Sequence, residues 1–467
     1  MHLLVDRASE TQVRLVILCL CALVLLLGMG VVVADEAADP TVGKSKILHE
    51  LEDAEILMFR GDYDEAYRRC EHARDAVKRE GGMNKALLDA LVDMIQAEIR
   101  LPQGFFSVAR SKLERADKTL RAKAAWWAQR GANVNDLRAF NFRWGYAQLL
   151  RGDVALTEAK VDALTGKVVD EGNALKKCKP HYKNGIDIIR DTWNKADAND
   201  IRVQIRLMHK ADLREVVLMA LEGDFFRAES VFDEVERFIT TQDLMWIRQF
   251  HPDAEAGAAL AAAAAAAGKD GATAPETPAG EAIAPVALAP AEMEMKASLK
   301  KREAVRVALL YLELLSVKAR LNLASGKLPI AEEAAMLARD IAEERFPSGV
   351  AYRNASLELA EVYFKCHDHE VDESRRNRGA VFEYGGQTVN VHRKAADSYL
   401  ADAEELVRET EKAIQGENAA QPIHLLAADL RRRIAEVKKD PRGIQDAERD
   451  LRRLADARKL DKPKVDR

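Results

Sequence analysis

The sequence predicts an all-α chain of repeated antiparallel helix pairs, and three observations carry that expectation. A Gly in a polar turn recurs at Gly61, Gly152, Gly223 and Gly326. Each is followed at fixed offsets by small or apolar residues: Ala66, Cys70, Ala73; Thr157, Val161, Leu164; Ala228, Phe232, Val235; and Ala331, Ala335, Ala338. Ala54, Gly145, Val216 and Ala319 precede the four glycines by a constant interval. Gly suits the left-handed residue that ends a helix, and small side chains let two helices cross closely. Secondly, the composition is rich in Leu, Ala, Glu, Lys and Arg, with aromatics at only 6%. Thirdly, no stretch alternates with period two except one short segment, so strands have almost no signal.

A repeat array absorbs 467 residues without needing several separate cores. The net charge of -5, from 31% charged residues of both signs, offers neither a basic footprint nor an acidic tail. Nucleic acid is therefore not an expected partner.

Residues 1–34 read as a signal peptide or an N-terminal membrane anchor. Arg7 and Arg14 precede an uncharged apolar run from Leu15 to Ala34, and Asp35, Glu36 and Asp39 follow it. Positive before and negative after keeps the N-terminus inside and sends the rest out. Val32 and Ala34 put small residues where a signal peptidase reads, and the run is also long enough to cross ~30 Å of hydrocarbon. The expected location is the periplasm or cell envelope, or the membrane with the bulk of the chain outside the cytoplasm. Cys19 and Cys21 each follow a Leu where lipidation needs a small residue, so no lipoprotein signal is read there.

The repeats are expected over 35–252 and 294–415. Helices are predicted at 44–60 and 63–79, at 84–100 and 104–129 around Leu101-Pro102-Gln103-Gly104, and at 135–150 and 153–165 with a turn at Gly152. Residues 166–200, carrying Gly166, Gly172, Pro180 and Gly185, read as irregular or as a shorter pair. The pattern returns over 201–240, and the spacing from Gly152 to Gly223 is close to two repeats of ~34 residues. From 253 to 293 the chain turns to Ala, Pro and Gly and lacks larger apolar anchors, as a solvated linker inserted in one array does. Another pair turns at Gly326 and closes at Arg345-Phe346-Pro347-Ser348. Next, Leu359, Ala360 and Tyr363 answer to Ala396, Leu400 and Ala403 across an insertion, 366–392, in place of a tight turn. Inside it, Val381-Phe382-Glu383-Tyr384 and Gln387-Thr388-Val389-Asn390-Val391 flank Gly385-Gly386 as a two-residue β-hairpin. Residues 416–467 read as charged capping helices, broken at Gly416 to Pro422 and at Asp440-Pro441-Arg442-Gly443.

The turn Arg60-Gly61-Asp62-Tyr63-Asp64-Glu65-Ala66, with Ala54 and Ala73, resembles the inter-helix turn of tetratricopeptide (TPR) repeats. The third pair departs from it at Thr157. Phe346-Pro347-Ser348 followed by Leu357-Glu358-Leu359-Ala360-Glu361-Val362-Tyr363 is similar to TPR-type proteins of the bacterial cell envelope. This resemblance implies a superhelical solenoid whose inner face, built by the first helix of each pair, holds a peptide or protein segment. It implies no catalysis and no cofactor. The candidate partner-binding residues are Arg138, Arg143, Trp144 and Arg151, where an aromatic and cations on neighbouring turns suit an acidic or apolar anchor. The alternative is a structural subunit that self-associates through its C-terminal helices.

Motifs for chemistry are sparse. Ala38-Asp39-Pro40-Thr41-Val42-Gly43-Lys44-Ser45 approaches a phosphate loop, but no strand precedes it and no βαβ unit follows. Neither a Gly-x-Ser-x-Gly turn nor a His-Glu-x-x-His helix is present, so an enzyme is not expected. Cys366, His367 and His369 form the densest set of metal-competent side chains and define a minor metal-dependent alternative. Their convergence on one ion requires a bent loop. Beyond the leader the cysteines are Cys70, Cys178 and Cys366, an odd set with no disulfide framework, and Cys70 falls on a core position.

Overall fold

A computed structural model describes residues 42–79, 82–131, 134–165, 171–194, 201–242, 290–384, 387–417 and 421–460. The expected leader or anchor, and the linker up to residue 289, lie outside the described residues. The chain divides into two compact units, residues 1–50 and residues 51–467. The described part of the first is the start of α1.

Among the described residues the chain is all-α, with fourteen helices and one small hairpin. In chain order the helices are α1 (Val42–Arg60), α2 (Tyr63–Val77), α3 (Gly82–Arg100), α4 (Phe106–Ala128), α5 (Val134–Leu164), α6 (Glu171–Asn194), α7 (Ile201–Leu221) and α8 (Phe225–Gln242). They continue with α9 (Pro290–Ala324), α10 (Leu328–Arg345), α11 (Val350–Arg376), α12 (Val391–Ala413), α13 (Pro422–Lys438) and α14 (Pro441–Leu460). Strands β1 (Val381–Tyr384) and β2 (Gln387–Asn390) pair antiparallel between α11 and α12, with Val381 opposite Asn390 and Tyr384 opposite Gln387. The two-residue hairpin read from the alternation is therefore present.

Successive helices pack as neighbouring pairs. The turn that joins them is chemically the same in several places. At Gly61, Gly104, Gly223 and Gly326 the backbone φ is +90°, +80°, +81° and +78°. The next residue's N–H then reaches back to the helix: Asp62 to Leu57, Phe105 to Arg100, Asp224 to Met219 and Lys327 to Asn322. That bond caps a carbonyl the helix end would leave unpaired. At the last pair Lys439 takes the left-handed position itself, and Asp440 donates to Ala435. Small residues at the offsets read from the sequence are buried where helices cross: Ala66, Cys70 and Ala73; Ala228; and Ala331, Ala335 and Ala338.

Gly152 does not make a turn. α5 runs without interruption from Val134 to Leu164, and its partner is α6, one helix over 171–194 of the region read as irregular or as a shorter pair. A Cβ on Gly152 would lie 2.4 Å from the Tyr182 ring, and one on Gly145 would lie 2.5 Å from Ile189 Cγ1 and 3.1 Å from the Gly185 carbonyl. These glycines are needed for close approach, which leaves the same mark in sequence as a turn. Pro180 sits inside α6, where its ring forgoes one helical hydrogen bond.

The insertion is also shorter than expected. α11 continues through Cys366 to Arg376 because its apolar stripe persists, burying Leu359, Val362 and Cys366. Beyond it the i,i+3 pairs Asp372–Arg375 and Glu373–Arg376 carry the last turn.

Within residues 51–467 the first helices do not line an open groove throughout. α5 touches α7, α7 touches α9, α9 touches α11, α11 touches α13, and α13 returns to α5. These five helices close a ring. The last pair completes it by placing Leu425, Ala428 and Leu454 in one apolar cluster with Phe140 and Leu150 of α5 and with Met94 and Leu113 of the second pair. A second closure joins Phe59 to Phe346, with ring centroids 6.4 Å apart. There Gly349 lies so close that a Cβ would be 2.8 Å from the Phe59 carbonyl.

Candidate binding surfaces

Two sides of α5 carry different chemistry. Trp144, Gln148 and Arg151 share the side that meets α4, and all three converge on Asp117. Trp144 Nε1 donates to Oδ1 at 2.7 Å, Gln148 Nε2 to the same oxygen at 2.6 Å, and Arg151 Nη1 to Oδ2 at 3.4 Å. Arg121 stacks its cation 5.8 Å from the Trp144 ring. Arg143 donates to the Ala139 carbonyl of its own helix at 3.3 Å, and Arg138 lies half-buried one turn earlier. Of the four residues read as partner-binding, Trp144 and Arg151 are thus brought together, in the contact between second and third pairs. They tie helices to each other, which is a structural role.

Two residues on from Trp144 is about 200° around the helix, and there Tyr146, Asp153 and Lys160 form a stripe at seven-residue steps. Sequence reasoning passed over it, although polar residues recurring at that interval along the helix were the available signal. The stripe meets equivalent positions on the neighbouring first helices. Tyr146 OH donates to Glu98 of α3 and accepts from Lys210 Nζ of α7 at 2.7 Å. Asp153 takes a bidentate pair from Arg214 of α7, at 3.1 and 2.8 Å, and a third bond from Tyr182 OH at 2.7 Å. Arg214 also pairs with Glu313 of α9. Further round, Arg320 Nε of α9 donates to Glu358 of α11 at 2.6 Å, and Arg433 of α13 pairs with Glu361 at 3.3 Å while lying 4.5 Å from the Phe364 ring.

Crowding perturbs these groups in the expected directions. Burial pushes the Glu98 carboxyl up to about 7; Lys210 opposes the shift, and Glu55 and Asp153 add to it. Burial also drives the Tyr146 and Tyr182 phenols well above their ordinary value, assisted by Glu98 and Asp153 respectively. Lys160 is pushed down to about 8, first by burial and then by Arg320.

The expected metal-competent set lies on α11 and does not converge. Cys366 and His367 point about 100° apart on the helix, and both are buried; burial pushes the Cys366 thiol up to about 12. His367 Nδ1 lies 3.2 Å from Asp368, and His392 Nδ1 lies 2.7 Å from Glu370. No group of three metal-competent side chains is found among the described residues. Cys70, Cys178 and Cys366 are free thiols in the interior. No described helix is long and apolar enough to cross a membrane.

A different surface appears where the fourth and fifth pairs turn. Lys327 Nζ binds Glu229 at 2.6 Å, which places the starts of α8 and α10 side by side. At this end Leu221, Phe226 and Ile330 are 42%, 87% and 41% exposed. A phenyl ring left that far in water is uncommon in a chain with few aromatics. No family model matches this chain, and no curated protein matches it.

Proposed function

We propose that this chain is a non-catalytic scaffold of TPR-like helix pairs, exported to or anchored at the cell envelope, which binds a protein or peptide partner. The observation that carries the reading is three exposed apolar side chains, Leu221, Phe226 and Ile330, at turns that the Lys327–Glu229 pair brings side by side. Apolar and aromatic side chains held on rigid elements are what binding hot spots are made of, and preorganisation lowers the entropy lost on association. The repeated Gly turn, and first helices that meet first helices round a common interior, support the TPR-like part. Placement at the envelope rests on Arg7, Arg14 and the apolar run to Ala34.

The test uses the purified chain as bait against the envelope fraction of the source cells, beside a variant carrying Phe226→Ser and Ile330→Ser. Both positions are exposed, so the variant should keep its helical circular dichroism. Partner recovery should fall at least tenfold, and equal recovery would remove this surface. A self-association seen by light scattering and lost in the variant would favour the assembly subunit instead. N-terminal sequencing of the mature protein should begin at Asp35 if the leader is cleaved and at Met1 if it is kept as an anchor; a start elsewhere would overturn the reading of residues 1–34.

A further inference from the structure

The interior of the five-helix ring holds an irregularity that the Phe226 surface does not involve. Its charges come as engaged sets: Arg214 with Asp153 and Glu313, Arg320 with Glu358, and Arg433 with Glu361. Lys160 breaks the series. It makes no hydrogen bond or ion pair among the described residues; solvent reaches its side chain, yet the helices around it crowd the ammonium enough to cost it hydration.

Its direction follows from its place on the stripe, one seven-residue step beyond Asp153, whose carboxylate meets Arg214 of α7 at the ring-facing side of α5. The charges acting on Lys160 are Arg320 of α9, Glu358 and Glu361 of α11, and Asp153 of its own helix. In the ring, α5 has α7 and α13 as neighbours, so α9 and α11 lie across the interior from it. The ammonium therefore reaches inward. Each carboxylate it faces is already engaged by another cation. On the remaining two helices of the ring, Arg214 of α7 is spent on Asp153 and Glu313, and Arg433 of α13 on Glu361.

Arg320 stands beside it as a second cation. It gives Nε to Glu358, keeps 60% of its side-chain surface, and has four further N–H donors to offer. An ammonium and a guanidinium partly enclosed by helices attract an anion more strongly than they would in bulk water. The depressed affinity of Lys160 for its proton is how such a cation responds when its counter-ion is missing. Size limits the occupant. Neighbouring helices pack at about 8–10 Å, and a five-membered ring at that spacing leaves room for a small anion or one side chain and none for a folded partner.

We propose that the interior of the α5–α7–α9–α11–α13 ring is an oxyanion-binding site, for a phosphate or a carboxylate, in which Lys160 supplies the unengaged cation and Arg320 the second. The full chain would be titrated calorimetrically at pH 8 with inorganic phosphate and, separately, with an end-blocked hexaglutamate peptide, each in two buffers of different ionisation enthalpy. At that pH Lys160 is about half charged, so binding should take up as much as half a proton. Lys160→Gln should weaken binding at least tenfold and abolish the uptake. Lys160→Arg should keep the affinity within about threefold and also abolish the uptake, because a guanidinium stays charged at pH 8. Phosphate binding would identify a free anion as the occupant, and binding of the peptide alone would identify an acidic segment. Failure of both probes to bind the parent, or binding that Lys160→Gln leaves unchanged while its melting temperature matches the parent, would overturn the proposal.

Discussion

The third and fifth helix pairs solve one packing problem in two ways. In α9/α10 the helices cross on alanines, with Ala319 against Ala331, Ala335 and Ala338, and Gly326 lies beyond the crossing in the turn with nothing within 4 Å of where a Cβ would be. In α5/α6 the glycines are in the crossing itself: Gly145 against Gly185 and Ile189, and Gly152 under the Tyr182 ring. Moving glycine from turn to crossing lets the backbones approach further. That closeness seats Tyr182, so its hydroxyl reaches Asp153 on the ring-facing stripe. One residue type at one spacing in sequence thus serves conformation in the first case and volume in the second.

The largest expected effect breaks the crossing. Gly145→Val sets a branched side chain against Ile189 and the Gly185 carbonyl, and overpacking against backbone should cost ~3 kcal/mol or more in chemical denaturation. Gly326→Ala strains only a left-handed turn and should cost about 1 kcal/mol. If the two variants lose equal stability, the distinction between the pairs is wrong.

Next is the polar layer to which Asp153 of the third pair and Glu313 of the fifth both contribute. Arg214→Met leaves Asp153 and Glu313 facing each other without their cation; the set is half-buried, so the loss should be about 2 kcal/mol, below the roughly 3–5 kcal/mol of a fully buried pair. The loss should be recovered in part by adding Asp153→Asn. A loss below about 1 kcal/mol would mean the layer is solvated like an ordinary surface.

A comparable effect concerns pH. The Glu98 carboxyl is raised to about 7, so its contribution to stability is fully present below its unfolded value near 4.5 and disappears as pH rises through 7. Glu98→Gln should therefore gain on the parent by about 2 kcal/mol between pH 5 and pH 8. A stability difference that does not change with pH would show that Glu98 titrates as an exposed carboxylate.

Much of the architecture was legible beforehand. Gly61, Gly223 and Gly326, the small residues after them, and the alternation across Gly385-Gly386 each have a local cause, so local sequence reported them. Gly152 misled because a left-handed turn and a tight crossing both demand the absence of a Cβ. Cys366 to His369 misled because dense polar residues look like a loop, while the stripe Leu359, Val362 and Cys366 kept the helix going. Trp144 and Arg151 were recognised as special, and Asp117, the residue that engages both, lies on another helix.

By itself, the sequence determined that the chain is helical, where most helix pairs turn, where the hairpin sits and that Cys70 is core. All of these rest on contacts within about forty residues. Only the tertiary structure decided that the seventh pair returns to the third, that the first helices close a ring, and that Lys160 has no ion-pair partner among the described residues. Ring closure is set by the sum of small rotations between successive pairs, and no single segment encodes that sum.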